Sequence, residues 1–589
     1  MKRKIQKQKL KLMKIRKQLL ILFCFLSITL LGYSQPPDVT IDGRGSRVVE
    51  PSFRITSLPT IIDSVKPSQV PSYPLLVYQQ PTQINLDKIK AAEIETSDKL
   101  KQLYPFYAKF GMGSGIMPLG QLVYNSTRSK GYHYGFSLDH ISFFGNIKNR
   151  EGVNFAPANY DRTSASIYGK VVDNRYSMKG QIDYVNHGFN YYGIPNDTVP
   201  RDDIAQRFQS IGGKFNYTSD FGKMEVMNYK VDLAYKYSFT NDSAPSTPPV
   251  IDSLSGWRAR EHYIDFHTKG WYNYKSETFY GIFGVRHNNY AFLSESYEGY
   301  SPSSTILDLN PGVLTQLMDN KFKVDVGFAI AFEMFDSFKS FYIYPRAEIK
   351  YSMFDDIFIP FAGIRGGLSQ NSFNGLFNEN QFVNPSLNIR NENNPYDIYG
   401  GIKGTLSKRM GFNVNASFKK ITNKAFFRID TLSEYNNLFE AIYDSLNHTM
   451  IEASVFYQLD EKLKIDGLAR FNSYELMNYA YAPNLPILEF HLRGTYNLFD
   501  KFILNLNGKI ETGRKAVVYE MAEDVIEEDG QLYLSLGPIV DFNFGAEYRY
   551  NKRVTAFLEF NNMFAQRYNQ WYNYPVQPIQ VMGGVSFRF

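Results

Sequence analysis

Residues 581–589, Val-Met-Gly-Gly-Val-Ser-Phe-Arg-Phe, carry the pattern that decides the fold. Val581, Gly583, Val585, Phe587 and Phe589 alternate with Met582, Gly584, Ser586 and Arg588. A period of two puts the first set on one face of a strand and the second set on the other. An apolar strand at the end of a soluble chain would fray into water. Against lipid the same strand is stable, so it predicts the closing member of a transmembrane β-barrel.

The rest of the chain supplies the other strands. From Tyr229 to Phe239, six apolar residues (Tyr229, Val231, Leu233, Tyr235, Tyr237, Phe239) oppose Lys230, Asp232, Ala234, Lys236 and Ser238. The alternation recurs over Tyr132–Asp139, Tyr176–Tyr184, Phe322–Phe332, Phe412–Lys419, Phe502–Glu511 and Val540–Tyr550. One apolar face and one wet face suit a wall between lipid and a water-filled lumen. Tight polar turns at 173–175, 319–321, 355–356, 460–462, 499–501 and 551–553 alternate with longer links such as 241–256, 368–394 and 512–531. That asymmetry belongs to bacterial outer-membrane barrels, whose short turns lie in the periplasm. The predicted fold is an all-β transmembrane antiparallel barrel of about 22 strands, with about 16–20 as the alternative, even in number because both termini lie on one side. Thr305–Leu317 and the strands holding Pro345 and Pro360 fit least well, since proline cannot donate to the ladder.

Three segments are expected: a signal peptide over 1–34, a proline-rich segment over 35–104, and the barrel over 105–589. Nine basic residues and no acid fall between Met1 and Gln18, followed by the apolar run Leu19–Leu31 and then Gly32-Tyr33-Ser34. Basic, apolar and small residues in that order form a secretory signal, with Met13 as a second candidate start. The apolar run is too short to span a bilayer comfortably. Cleavage removes nine of the 64 basic residues and leaves 55 against 58 acidic ones, so the net +6 becomes about −3. The basic balance is therefore no nucleic-acid signal. The single cysteine, Cys24, leaves with the signal, which excludes disulfides, thiolate metal sites and cysteine nucleophiles from the mature chain. Eight prolines between Pro36 and Pro81 favour an extended segment, either a periplasmic tail or a strap folded into the lumen. Abundant Tyr (44) and Phe (47) without a later long apolar run fit alternating strands with interfacial aromatic girdles.

No catalytic, cofactor or metal set is expected. His262 and His267 lie five apart, so they face opposite sides of a strand and cannot share a metal. Asp139-His140 near Ser142 suggests hydrolase chemistry, but the spacing divides the group between faces. Gly111–Gly115 lacks the Lys-Ser/Thr and helix of a phosphate loop. The acidic stretch Glu520, Glu523, Asp524, Glu527, Glu528, Asp529 lacks calcium-loop spacing and reads as a solvated loop. Lys230, Asp232, Lys236, Lys323, Asp325, Lys509 and Glu511 give the lumen both signs of charge and no ion preference.

Asn384-Pro385-Ser386-Leu387, then Tyr396-Asp397-Ile398-Tyr399-Gly400-Gly401-Ile402-Lys403-Gly404, resembles a motif pair of TonB-dependent outer-membrane receptors. Asn561-Asn562-Met563-Phe564 with Arg567-Tyr568 resembles the final hairpin of that family, and the whole chain looks like Bacteroidota outer-membrane proteins. The resemblance covers about residues 340–589. It implies an outer-membrane barrel whose last strand, through Val585, Phe587 and Phe589, is read by the barrel assembly machinery. The family's plug domain exceeds the length of 35–104, so a plugless relative is implied. Two functions follow as expectations: a channel or receptor-like transporter for a solute, or a non-conducting accessory scaffold with periplasmic or outer-membrane partner proteins. The surrounding lipid is the remaining partner, and no enzyme activity and no nucleic acid are expected.

Overall fold

The computed structural model describes residues 103–589 apart from 220–226, 242–257, 294–300, 432, 434, 461, 522 and 523. The predicted signal peptide, and all but the last two residues of the proline-rich segment, lie outside the described residues.

The chain runs through β1 (Phe106–Gly113), β2 (Met117–Asn125), β3 (Tyr132–Phe143), β4 (Tyr160–Val172), β5 (Tyr176–Asn190), helix α1 (Arg201–Ile204), β6 (Ala205–Ser219) and β7 (Met227–Thr240). It continues through β8 (Arg258–Tyr274), β9 (Glu277–Leu293), β10 (Ser303–Leu317), β11 (Phe322–Phe335), β12 (Phe338–Tyr351) and β13 (Ile359–Ser369). Helix α2 (Phe373–Glu379) precedes β14 (Glu392–Ser407), β15 (Met410–Ile429), β16 (Phe439–Leu459), β17 (Leu463–Leu476), β18 (Leu488–Leu498) and β19 (Phe502–Thr512). Three short strands, β20 (Lys515–Val518), β21 (Val525–Glu528) and β22 (Gln531–Ser535), form their own sheet. The chain ends with β23 (Ile539–Arg549), β24 (Val554–Asn561), the small ribbon β25 (Asn569–Trp571) and β26 (Tyr574–Pro575), and β27 (Gln580–Arg588).

From β1 to β19 every strand pairs antiparallel with the next, and β19–β23, β23–β24 and β24–β27 continue the ladder. β27 then pairs with β1, from Tyr107↔Arg588 to Gly113↔Met582. Twenty-two strands therefore close on themselves without an edge, as a membrane-spanning sheet requires, because lipid offers no partner for a free N–H or C=O. Phe106 N–H donates to Phe589 O at 2.8 Å, Phe589 N–H returns the bond at 3.0 Å, and the two rings stack at 4.9 Å. Gly111 and Gly584 face each other at this seam. A Cβ at Gly584 would meet Phe110 O at 2.0 Å, and one at Gly111 would meet the Phe557 ring at 2.7 Å. Only glycine lets the first and last strands approach beneath that ring.

The strands that fit least well in the sequence are regular members of the ring: Thr305–Leu317 lies in β10, Pro345 in β12 and Pro360 in β13. The ladder between β12 and β13 starts only at Arg346, one residue past Pro345. The proline sits where one side of its strand needs no donor.

The alternation fixes the two faces. Tyr134, Phe136, Leu138, Ile167, Ile182, Leu233, Val326, Ile343, Ile451 and Leu558 are all exposed on the outer surface. So continuous an apolar belt would not persist on a monomer in water. Connections at one end are short, such as 173–175, 408–409 and 499–501. At the other end the links 191–204, 370–391, 513–538 and 562–579 are long, although β1–β2 and β11–β12 turn tightly there too. The link 513–538 carries β20–β22, and the described residues of the acidic stretch, Glu520, Asp524, Glu527, Glu528 and Asp529, are exposed as expected, with Asp529-Gly530 at positive φ joining β21 to β22. Two such residues supply the tight turn of a hairpin.

Candidate functional site

Lumen-facing positions are those opposite the apolar belt, and their charges pair across and along strands. Arg286 bonds Asp308 at 2.6 Å, Arg365 bonds Asp397 at 3.0 Å, Lys230 bonds Asp232 at 2.8 Å and Lys509 bonds Glu511 at 2.7 Å. Asp325 accepts from the Tyr280 hydroxyl and lies 3.6 Å from Arg346. Lys323 lines a lumen cavity of about 1020 Å³ with Lys403, Arg470, His491 and Arg493.

The long-loop end of this lumen is filled by the chain itself. The link between β13 and β14 folds inward and carries α2, whose start is fixed by Ser372: its Oγ accepts from Gly375 N–H at 2.9 Å. Such a cap satisfies one orphan N–H of the first turn. The two donors before it are met from another part of the wall. Glu261 of β8, fully buried, accepts from Phe373 N–H at 2.5 Å and Asn374 N–H at 2.9 Å, and from the Asn288 side chain at 3.1 Å. Lys236 of β7 donates to Asn374 Oδ1 at 3.0 Å. A carboxylate at a helix start is held both by hydrogen bonds and by the helix dipole.

Apolar packing completes the seal. Phe377 stacks on Phe208 of β6 at 4.1 Å, and Phe382 stacks on Tyr574 of the β25–β26 ribbon at 3.7 Å. These rings belong to one buried cluster with Phe189, Tyr191, Tyr290, Phe373, Phe427 and Phe439. Its members come from opposite parts of the wall and from five links. Polar groups inside pair with one another: Tyr191 OH donates to Val383 O at 3.2 Å, Asn437 Nδ2 to Tyr191 O at 2.7 Å, and Leu387 N–H to Tyr290 OH at 3.0 Å, while Asn437 Oδ1 is buried without a partner. Burial pushes the Tyr574 hydroxyl far above its ordinary range, so it stays a neutral donor, here to Asn437 O. Arg514, buried after β19, donates to Gln570 O and Asn569 O and ties the β19–β23 link to the ribbon.

The sequence-derived candidates fall as follows. Asn384-Pro385-Ser386-Leu387 lies inside the lid, where Asn384 Oδ1 accepts from Ser386 N–H and Oγ, both at 3.0 Å, and Pro385 O accepts from Tyr290 OH. Asn562 of the final motif bonds Asn543, Gln566 and Gln577 and closes the last long hairpin. His262 bonds Tyr235 OH at 2.9 Å on the outer face, while His267 bonds Asp265 at 2.5 Å on the lumen face. Asp139, His140 and Ser142 are divided between faces, as their spacing implies. Positions two apart share a face, and Ser142 Oγ lies 2.8 Å from His140 Nε2, whose ring also bonds Thr163 at 2.8 Å. Only Asp139 is turned away. Ser142 is buried, and the three groups satisfy one another at the barrel rim. Val585 is exposed on the outer face, and Phe589 stacks on Phe106. Glu528 of the acidic stretch accepts from Tyr481 OH at 2.7 Å. A group not singled out in the sequence, Glu489, His491 and Glu511, meets on the lumen wall. The signal was Glu489-x-His491, a spacing of two on one strand.

No family model matches the sequence, and no curated protein matches it. Solved structures do. The FrpB iron transporter from Neisseria meningitidis superposes with a TM-score of 0.62 at 10% identity, over 83% of this chain and 82% of that one. The copper transporter OprC gives 0.59 at 11%, over 83% and 81%. The ferric-catecholate import receptor Fiu from E. coli K12 gives 0.57 at 10%, over 82% of both. The fold is that of the TonB-dependent outer-membrane receptors. Identities this low carry the fold alone.

Proposed function

We propose that this chain is an outer-membrane transporter of the receptor type for a solute, with its lumen closed at the long-loop end by its own β13–β14 link. The observation that carries the reading is the α2 segment, which is seated on Glu261 and packed into the buried aromatic cluster at the mouth. A pore for free diffusion has no use for a buried aromatic core across its mouth, whereas a gated one does. The structural neighbours, described as copper and iron transporters and a ferric-catecholate import receptor, support the same reading. Residues 1–34 act in this reading as the export signal and 35–104 as a periplasmic tail or strap in place of a plug domain. Val585, Phe587 and Phe589 present the assembly signal.

Conductance in planar bilayers tests the proposal. The native protein should conduct little, and deletion of 372–389 should give steady ohmic conductance. Glu261→Ala should give brief openings. No conductance after either change, with or without 35–104, would remove the transport reading. The same core then favours the alternative, a non-conducting scaffold that co-purifies with a stoichiometric partner.

A further inference from the structure

The lumen face of β17–β19 carries a cluster that the lid does not use. Glu489 and Glu511 stand directly opposite each other on β18 and β19, and His491 takes the next lumen position on β18. One donor atom from each of the three lies within 4.8 Å of the other two. Like charges directly opposite on neighbouring strands repel, so this pair persists only where a cation serves it. Lys509 Nζ is 2.7 Å from Glu511. Arg470 is 3.3 Å from Glu489 but is held more closely by Glu452, at 2.6 Å. Glu452, Glu489 and Glu511 thus share Lys509 and Arg470, and the buried Arg514 adds an attraction to Glu511.

An outer layer of contacts is already built. Asn472 is buried, donates to Glu489 Oε1 at 2.9 Å and bonds His448 Nε2 at 3.0 Å through its oxygen. Glu489 Oε2 lies 3.3 Å from Arg470 and 3.6 Å from His491 Nε2, and a hydrogen bond that fixes the other oxygen from behind is the arrangement found in the shell around metal ligands. His491 and Arg470 also line the cavity of about 1020 Å³, so lumen water reaches the cluster.

We propose that Glu489, His491 and Glu511 bind one divalent transition-metal ion, of the zinc or iron(II) type, on the lumen wall. Two carboxylates and an imidazole suit borderline ions better than calcium, which takes oxygen alone, or copper(I), which takes sulfur. Three protein donors leave coordination positions open toward the lumen. Lys509 is a competitor in this site, because its ammonium and the ion claim the same Glu511 carboxylate. The site belongs to the barrel wall and does not require passage of a solute, so its failure and the failure of the transport reading are told apart by binding and by conductance.

Calorimetry on purified, chelator-treated full-length protein in detergent, with Zn²⁺ alone as the probe, tests this. The native protein should take up one ion per chain. His491→Ala and Glu489→Gln should lose saturable binding, and Asn472→Ala should weaken it by about 10–100-fold. Lys509→Ala should tighten binding, an outcome a mere ion-pair patch would not give. Each variant is compared after its heat-modifiable gel migration is matched to the native protein. Absence of saturable uptake by the native protein, or unchanged affinity in His491→Ala, overturns the proposal.

Discussion

Glu261 shows how much a single side chain can decide in this barrel. Its carboxylate, on β8, meets two backbone N–H groups of α2, which follows β13, across 112 and 113 residues of sequence. Glu261→Ala leaves those donors buried without a partner, at a cost of about 1–3 kcal/mol each. Limited proteolysis of the native barrel should then cut within 370–391 at a rate the wild type does not show. Glu261→Gln, which still offers one acceptor, should lie between the two. Nothing in the sequence marked this residue, because its role depends on what a link in the other half of the chain does. Phe589 was legible, since a terminal aromatic on an alternating strand has a local meaning. Its replacement by Asp removes the stack on Phe106 and places a charge at the seam. Surface levels of the variant, measured by immunoblot of outer-membrane fractions, should fall severalfold.

At the scale of elements, strands were readable and links were not. A period of two is a local signal, and the alternation at Tyr229–Phe239 or Val540–Tyr550 fixes face and direction from a few residues. Pro345 and Pro360 weakened that signal without breaking it, because proline costs only a donor and the ladder beside Pro345 is interrupted. The links carry no period. Their order comes from the aromatic core, whose members lie up to hundreds of residues apart, so composition gave the solvated acidic stretch 520–529 and no sign of the β20–β22 sheet around it. The Asp529-Gly530 pair was a visible turn signal within it. The Asn384 and Asn562 motifs, noted as resemblance, prove to be the places where side-chain amides hold two long links in shape. Phe377→Ala removes a ring stacked at 4.1 Å on Phe208, and truncation of a buried aromatic costs about 3–5 kcal/mol. The lid should loosen while the ring of strands stays intact: protease sensitivity of 370–391 should rise without a change in the heat-modifiable gel shift.

On the scale of the whole molecule, closure of 22 strands and filling of the lumen are separate achievements of the sequence. Closure follows from the seam, where Gly111 and Gly584 admit the last strand against the first. Filling is done by the long links, which build across the mouth the kind of packed interior that a soluble domain keeps at its centre. The two should therefore uncouple on denaturation, with lid fluorescence and protease protection lost at lower urea than β circular dichroism. Coincident transitions would tie the lid to the wall as one cooperative unit. The mature chain holds no cysteine once the predicted signal is removed, so one introduced thiol reports on one place. Val383 is 1% exposed within the lid, and Phe338, at the tight turn on the same end of the barrel, is 75% exposed. The most direct test of a mouth closed from within is labelling of the single variants Val383→Cys and Phe338→Cys on intact cells with a membrane-impermeant maleimide. The thiol introduced at the tight turn should label readily, while the thiol introduced in the lid should stay protected until Glu261→Ala is added. Equal labelling of both thiols in otherwise native protein would contradict a closed mouth.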